Sequence, residues 1–431
     1  MRGSQIFENH GALNPLHFDK LLPIGLHGDG GSFSKQDSLM VLSWNGVLGT
    51  MSGTEKGFAR RFLFTVIRKT EMLESGETMD YLWKVFSWSV NLMLTGINGE
   101  QDYEGRPLHE PRRFLASGYR ASLMQIRGDW EFLSNVIKLV HWGRSGNMCF
   151  LCKAENEEGP LKWHNVGESA GWRSTLRTHS SWKEELRRDN LELPLLFRLV
   201  VGLSLACVAI DVLHCVDAGV GAHIVGNIMM LCIKRNVWGG GTMDRNAECL
   251  DEELTRWHSK NKSKRTLQGT ITVARLRCTS GYTKLKGKAS AVRHISEFGL
   301  ELAQKYLTHD KRLVAIITLL CRFYRILASE GLHMSADAKK SIPKIGNQIC
   351  KLYHQLARES ADRCEKMWKA TVKLHLFLHL VEDQVPNSGL NPQSYWTYGD
   401  EDLVGTMIET SESCHPRTLA PTALSKWGLQ L

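Results

Sequence analysis

The chain has 431 residues, 42% of them hydrophobic and 23% charged, which excludes a disordered polymer and supplies core for one large domain with an insertion or for two or three domains. Its 54 Lys and Arg against 45 Asp and Glu leave a net charge of +9, compatible with a polyanionic partner but modest for this length, so where the charge sits matters more than its total. The eleven cysteines are scattered and no charged-then-apolar leader opens the chain, so they read as reduced thiols of a nuclear or cytoplasmic protein.

The apolar run Leu21 to Leu26 predicts a short buried strand, and it leads into Gly25-Leu-His-Gly-Asp-Gly-Gly-Ser-Phe33. Asp29 stands there among glycines, as a metal ligand does at a strand end that a phosphate can approach closely, although a lone Asp-Gly is more often a turn. Two further strands are predicted over 38–48 and 60–68, separated by a Gly/Ser/Thr loop at 49–57. A helix with a buried face follows over 78–94, then a polar link at 96–111. A fourth strand, 119–129, ends like the first on Gly-Asp, at Asp129, and a helix-like stretch continues from Trp130 to Val140. Strand, strand, strand, helix, strand is an order that resembles an RNase H-like core, where the first and fourth strands are neighbours and carry two acids of a metal site.

Cys149-Phe-Leu-Cys152 has the spacing of a zinc knuckle, with His164 and the more distant His179 as candidate further ligands. Two reduced cysteines in a turn before the charged loop 153–159 are the plainer alternative. The stretch from Leu193 to Leu213 is apolar but broken by Arg198 and Asp211, which predicts a buried element and no membrane partner. From there the pattern is mostly helical, through 193–234, 297–307, 312–329, 336–358 and 363–381. Asp211, His214 and Asp217 share helical spacing and could ligate an ion, but such residues more often cap helices or bond one another in a core.

Between Arg256 and Arg293 stand Lys260, Lys262, Lys264, Arg265, Arg275, Arg277, Lys284, Lys286 and Lys288, without one Asp or Glu. A single-sign run of this length predicts contact with the phosphates of DNA or RNA, against the alternative of a solvated basic face. His375 and His379 lie one helical turn apart, as in zinc proteases, but Leu376 occupies the position where that motif needs Glu. After the Pro/Gly/Asn link 386–392, a helix is predicted over 399–409, opened by Asp400, Glu401 and Asp402.

Taken in order, Asp29, Asp129, Cys149-x-x-Cys152, Asp211-Val-Leu-His214, His379-Leu-Val-Glu382 and Tyr395-Trp-Thr-Tyr-Gly-Asp-Glu401 resemble the transposases of CACTA (EnSpm) elements and the related Kyakuja-Dileera-Zisupton group. The resemblance spans about 21–412. It implies an α/β fold: an RNase H-like mixed sheet interrupted by a large, mainly helical insertion, with the core at 15–145, a zinc-knuckle-like segment at 146–185, the insertion at 190–385 and a return to the core at 390–431. It further implies a DDE site of Asp29, Asp129 and Glu401 holding Mg2+ or Mn2+ for DNA strand cleavage and transfer, with Glu382, Asp211, Asp400 and Asp402 as rivals for the third acid. The family's aromatic-Glu-Arg context reads Asp400-Glu401-Asp402 here. One structural Zn2+ on Cys149, Cys152 and His164, DNA as partner and homo-oligomerisation complete the expectation. With no amino-terminal DNA-binding domain evident, a truncated or decayed copy is also expected. The alternatives are a transposase-derived DNA-binding protein without catalysis and a helical protein-interaction scaffold.

Overall fold

The computed structural model describes residues 19–49, 60–139, 146–156 and 159–428. Most of the predicted loop 49–57, the end of the helix-like stretch at 140 and residues 157–158 of the charged loop lie outside them. The fold is mixed α/β and divides into two compact units. One comprises the described residues of 1–153, 175–211 and 392–431; the other comprises those of 154–174 and 212–391. The segment 175–211, with its helix His179–Arg188, thus belongs to the sheet-bearing unit.

The first unit is built on four strands, β1 (Leu21–Ser32), β2 (Ser38–Gly46), β3 (Arg61–Arg68) and β4 (Arg120–Gly128), in the spatial order β3-β2-β1-β4. β1 runs antiparallel to β2, and β2 to β3, whereas β4 lies parallel to β1. Beyond β4, Val208 bridges Ile126 in parallel and the Ala209 N–H donates to the Ile126 carbonyl at 2.9 Å, so a rudimentary fifth strand flanks the sheet.

Two helices cover opposite faces. Leu63 packs with Leu403, Val404 and Met407 of the helix Tyr398–Glu412, while the next residue, Phe64, meets Phe86 of the helix Glu77–Thr95 edge-on at 5.2 Å. Successive strand residues point to opposite sides, so the alternation assigns one helix to each face.

β1 is longer than its apolar run suggests. The glycine-rich segment is strand, not loop, because β2 pairs with it from Ile24↔Gly46 to Ser32↔Ser38 through backbone bonds that ask nothing of the side chains. Its glycines also have packing reasons. A Cβ at Gly28 would stand 2.0 Å from the Phe132 ring, and one at Gly31 would stand 2.3 Å from Ile408.

The second unit is helical. Ala222–Lys234 is buried among Ser296–Tyr306 and Lys311–Ser329, and Ala336–Asp362 packs on Lys311–Ser329 and Val372–His379. The stretch Leu213–Lys234 is long and apolar enough to cross a membrane, but 89% of its apolar window is buried in the protein, as in a core helix. The expected helix over 193–234 is broken at its start, because 208–210 extends along β4 and a wide, π-helical turn, Leu213–Gly221, precedes the regular helix.

His223 makes this unit acid-sensitive. Its Nδ1–H donates to the Thr283 carbonyl at 2.8 Å, and burial pushes its pKa from 6.5 down to about 4. The unfolded chain therefore binds a proton that the folded chain refuses, so this contribution is complete above about pH 6.5 and is lost as pH falls toward 4. We predict that His223→Asn, which retains an N–H donor, flattens the fall of the melting temperature between pH 7 and 4.5. Equal slopes for variant and parent would refute the assignment.

Candidate metal centre and acidic strand ends

Two kinds of site residue come from the sequence: carboxylates at strand ends and a cysteine pair. The parallel pairing of β1 with β4 ends at Gly28↔Gly128, so Asp29 and Asp129 each follow the last paired residue on neighbouring strands. Asp29 lies inside β1, opposite Val41, and not at the strand's end. Its Oδ1 accepts the Gly30 N–H at 2.7 Å, and Asp129 Oδ1 accepts the Phe132 N–H at 2.6 Å.

Among the candidates for a third acid, Asp400 is fully buried and bound to arginine. Arg61 Nε and Arg127 Nη2 each lie 3.2 Å from its Oδ1, and Arg127 also bonds Asn45. Burial would raise the Asp400 pKa, but Arg127, His27 and Arg61 outweigh it and hold the carboxyl below its ordinary value. Asp211 accepts the Thr397 N–H at 3.0 Å and its hydroxyl at 2.9 Å, fastening the start of the helix Tyr398–Glu412. Glu382 is ion-paired with Arg173 and bonded by Asn347. Asp402 is exposed, and Glu401 is half-buried in the first turn of its helix. The His214 carbonyl accepts Lys373 Nζ at 2.8 Å, and Asp217 faces Arg293 at 3.6 Å.

Among the described residues, one set of three or more metal-binding side chains converges: Cys149, Cys152, His375 and His379, all buried, with ligand atoms within 4.8 Å of one another. Asp29, Asp129 and Glu401 do not form such a set, and the expected Mg2+ or Mn2+ site is not supported.

The cysteine turn is rigidly held. The Leu151 N–H points at Cys149 Sγ, 3.3 Å away, and Arg177 bonds the carbonyls of both cysteines while Glu185 grips its guanidinium at 2.6 Å. On the histidines, Nδ1 of His375 donates to the Trp163 carbonyl at 3.1 Å and Nδ1 of His379 to Asp383 at 2.6 Å. Both Nδ1 atoms thus carry hydrogen, and the two Nε2 lone pairs face each other at 3.1 Å. Backbone and carboxylate partners on the far ring nitrogen are the usual support of metal-binding imidazoles, and two thiolates with two imidazoles match tetrahedral zinc.

This corrects the expected ligand set. His164 is not in the group; its ring stacks on His354, centroids 6.0 Å apart. His179 begins the helix His179–Arg188 and stacks on Phe197. The missed ligands carried a signal, their one-turn spacing, but nothing local linked them to the distant cysteines.

The basic stretch divides as well. Lys260, Lys262, Lys264, Arg277, Lys286 and Lys288 are exposed. Arg265 is paired with Asp251, Arg275 donates to the Lys286 and Thr270 carbonyls, and burial pulls the Lys284 ammonium below the usual lysine range. Arg265 and Arg275 thus serve the fold.

No protein-family model and no curated protein matches this chain.

Two predictions follow from this chemistry. The purified protein carries about one zinc per chain; Cys149→Ser and His375→Ala each lose it, His164→Ala keeps it, and chelation lowers the melting temperature, as metal analysis and thermal denaturation will read. Asp400→Ala leaves Arg127 buried beside Arg61 without its ion-pair partner and costs about 3–5 kcal/mol in denaturant unfolding; a loss below about 1 kcal/mol would mean that the pair contributes little.

Proposed function

We propose that the chain is a transposase-type protein with an RNase H-like core, which holds DNA on its basic stretch and cleaves strands with acids centred on Asp29 and Asp129. The carrying observation is the parallel β1–β4 pairing within the order β3-β2-β1-β4, which puts those two acids in adjacent register. Further support comes from the return of the chain at 392–428, where the helix Tyr398–Glu412 lies across β1, β2 and β3. Among the candidate third acids, Asp400, Asp211 and Glu382 are held by arginines, Thr397 and Arg173 respectively, and Glu401 sits half-buried in the first turn of the helix Tyr398–Glu412.

Two carboxylates on adjacent strands suit a hard cation such as Mg2+, which prefers oxygen ligands. A complete three-acid set is not gathered, so the fit is partial and no step is assigned to the metal. The Cys/His cluster is the place for a structural zinc, closed by four protein ligands.

A second reading, a DNA-binding protein without cleavage, is favoured by the same ungathered acids and by the backbone bonds that Asp29 and Asp129 already accept.

Incubation with supercoiled DNA and Mg2+ or Mn2+ separates the two. The first reading predicts nicking that Asp29→Asn, Asp129→Asn and Glu401→Gln each reduce at least about 100-fold while gel-shift affinity is kept. Binding without nicking selects the second. Absence of salt-sensitive DNA binding overturns both.

A further inference from the structure

A cavity of about 690 Å³ opens in the helical unit, within the size range of ligand sites. Two helices form it. Glu253, Arg256, Trp257 and Lys260 recur at positions i, i+3, i+4 and i+7 of Met243–Lys260, and so occupy one face. Phe298, Glu301, Leu302 and Lys305 repeat that spacing on Ser296–Tyr306. Trp238 and Tyr306 complete the aromatic wall.

The carboxylates clamp the rings by their edges. Glu301 accepts the Trp257 indole N–H at 2.8 Å; Glu253 accepts the Trp238 indole N–H at 2.6 Å, the Tyr306 hydroxyl at 2.9 Å and Lys305 Nζ at 2.9 Å. Neighbouring rings meet at a tilt and not face to face: Trp257 with Phe298 at 54° and Trp238 with Tyr306 at 63°. Lys305 Nζ already stands over the Tyr306 ring, 4.6 Å from its centroid, so of these rings it is the half-buried Trp257, in the cavity lining, that is offered to a ligand. Both acids are engaged by these donors, whereas Arg256 and Lys260 are exposed and form no ion pair among the described residues. Lys262 and Lys264 continue the positive charge past the helix end.

Clamped aromatic rings beside cations that stand outside any ion pair, among the described residues, are the chemistry of unpaired nucleotides: bases stack on the rings with little sequence preference, and phosphates meet the cations. A phosphate alone would have no use for the aromatic wall, and duplex DNA keeps its base faces stacked inside the helix. We infer that this pocket captures an unpaired nucleotide of single-stranded DNA, its base against Trp257 and its phosphates on Arg256 and Lys260. The inference rests on the DNA-processing reading and adds the form of the strand that is held.

The test is fluorescence anisotropy with the full chain and two probes, a labelled oligothymidylate and a labelled duplex of mixed sequence, across a salt series. Trp257→Ala should weaken oligothymidylate binding about ten-fold and leave duplex binding and the salt slope unchanged, while Trp257→Phe, which keeps an aromatic face, should bind like the parent. Arg256→Ala with Lys260→Ala should reduce the single-strand salt slope by about 1.4. These two exposed positions decide the matter if Trp257→Ala does not fold. Unchanged single-strand affinity in the variants, or equal losses on both probes for Trp257→Ala, overturns the inference. Asp29→Asn should bind oligothymidylate like the parent, so a protein that nicks nothing yet shows this pattern retains the pocket and loses only the cleavage reading.

Discussion

A single carboxylate from near the carboxyl end, Asp400, joins the strands laid down first. It is buried with Arg61 at the start of β3 and Arg127 in β4, and Arg127 in turn bonds Asn45 of β2. Burying two guanidinium groups is costly in itself, and a hydrophobic replacement of the whole set could be as stable. What the ionic set adds is position: an apolar contact tolerates sliding, whereas this geometry fixes the helix Tyr398–Glu412 along and around its axis. Asp211 fixes its beginning in the same way, through Thr397. The polar fasteners thus decide where Glu401 is carried, and Leu403, Val404 and Met407 supply the apolar burial beneath.

Legibility in the sequence followed the range of the interaction. Strands and helices with a local period could be read, and so could the paired Gly-Asp endings, because hydrophobic spacing and turn residues act over a few positions. The glycines around Asp29 were legible as a feature but not in their role. Space for a phosphate and space for a neighbouring side chain leave the same mark on a sequence, and here Phe132 and Ile408 occupy the space at Gly28 and Gly31. Strand partners cannot be read from periodicity, so the adjacency of the first and fourth strands rested on the resemblance alone, and the structure places them side by side in parallel.

The basic stretch illustrates a second limit. Counting charges treats every Lys and Arg as a solvated cation, but a planar guanidinium with five donors is also a good interior crosslink. Arg265 and Arg275 act that way, tying loop carbonyls and Asp251 together, so the segment's effective charge toward a polyanion is carried mainly by its lysines and Arg277. Absence of acids within the stretch did not mean absence of acids around it.

The Cys/His cluster poses the converse problem, because each half of the set was visible and the union was not. Cys149-x-x-Cys152 is a two-ligand turn and His375 with His379 a two-ligand helical face, and two-plus-two is a complete tetrahedral shell. Either half alone has a bland explanation: buried thiols pack as small apolar groups, and a buried histidine pair can be satisfied by hydrogen bonds. The bland explanation fails once both Nδ1 atoms are seen to donate outward. Two neutral imidazoles so oriented leave their Nε2 lone pairs opposed across 3.1 Å, a repulsive arrangement that needs a cation or a shared proton between them. A shared proton would serve the histidines alone, whereas a zinc ion would engage all four groups, so the bonds that Trp163 and Asp383 make to the far ring nitrogens support a metal at this cluster more than ligand spacing does.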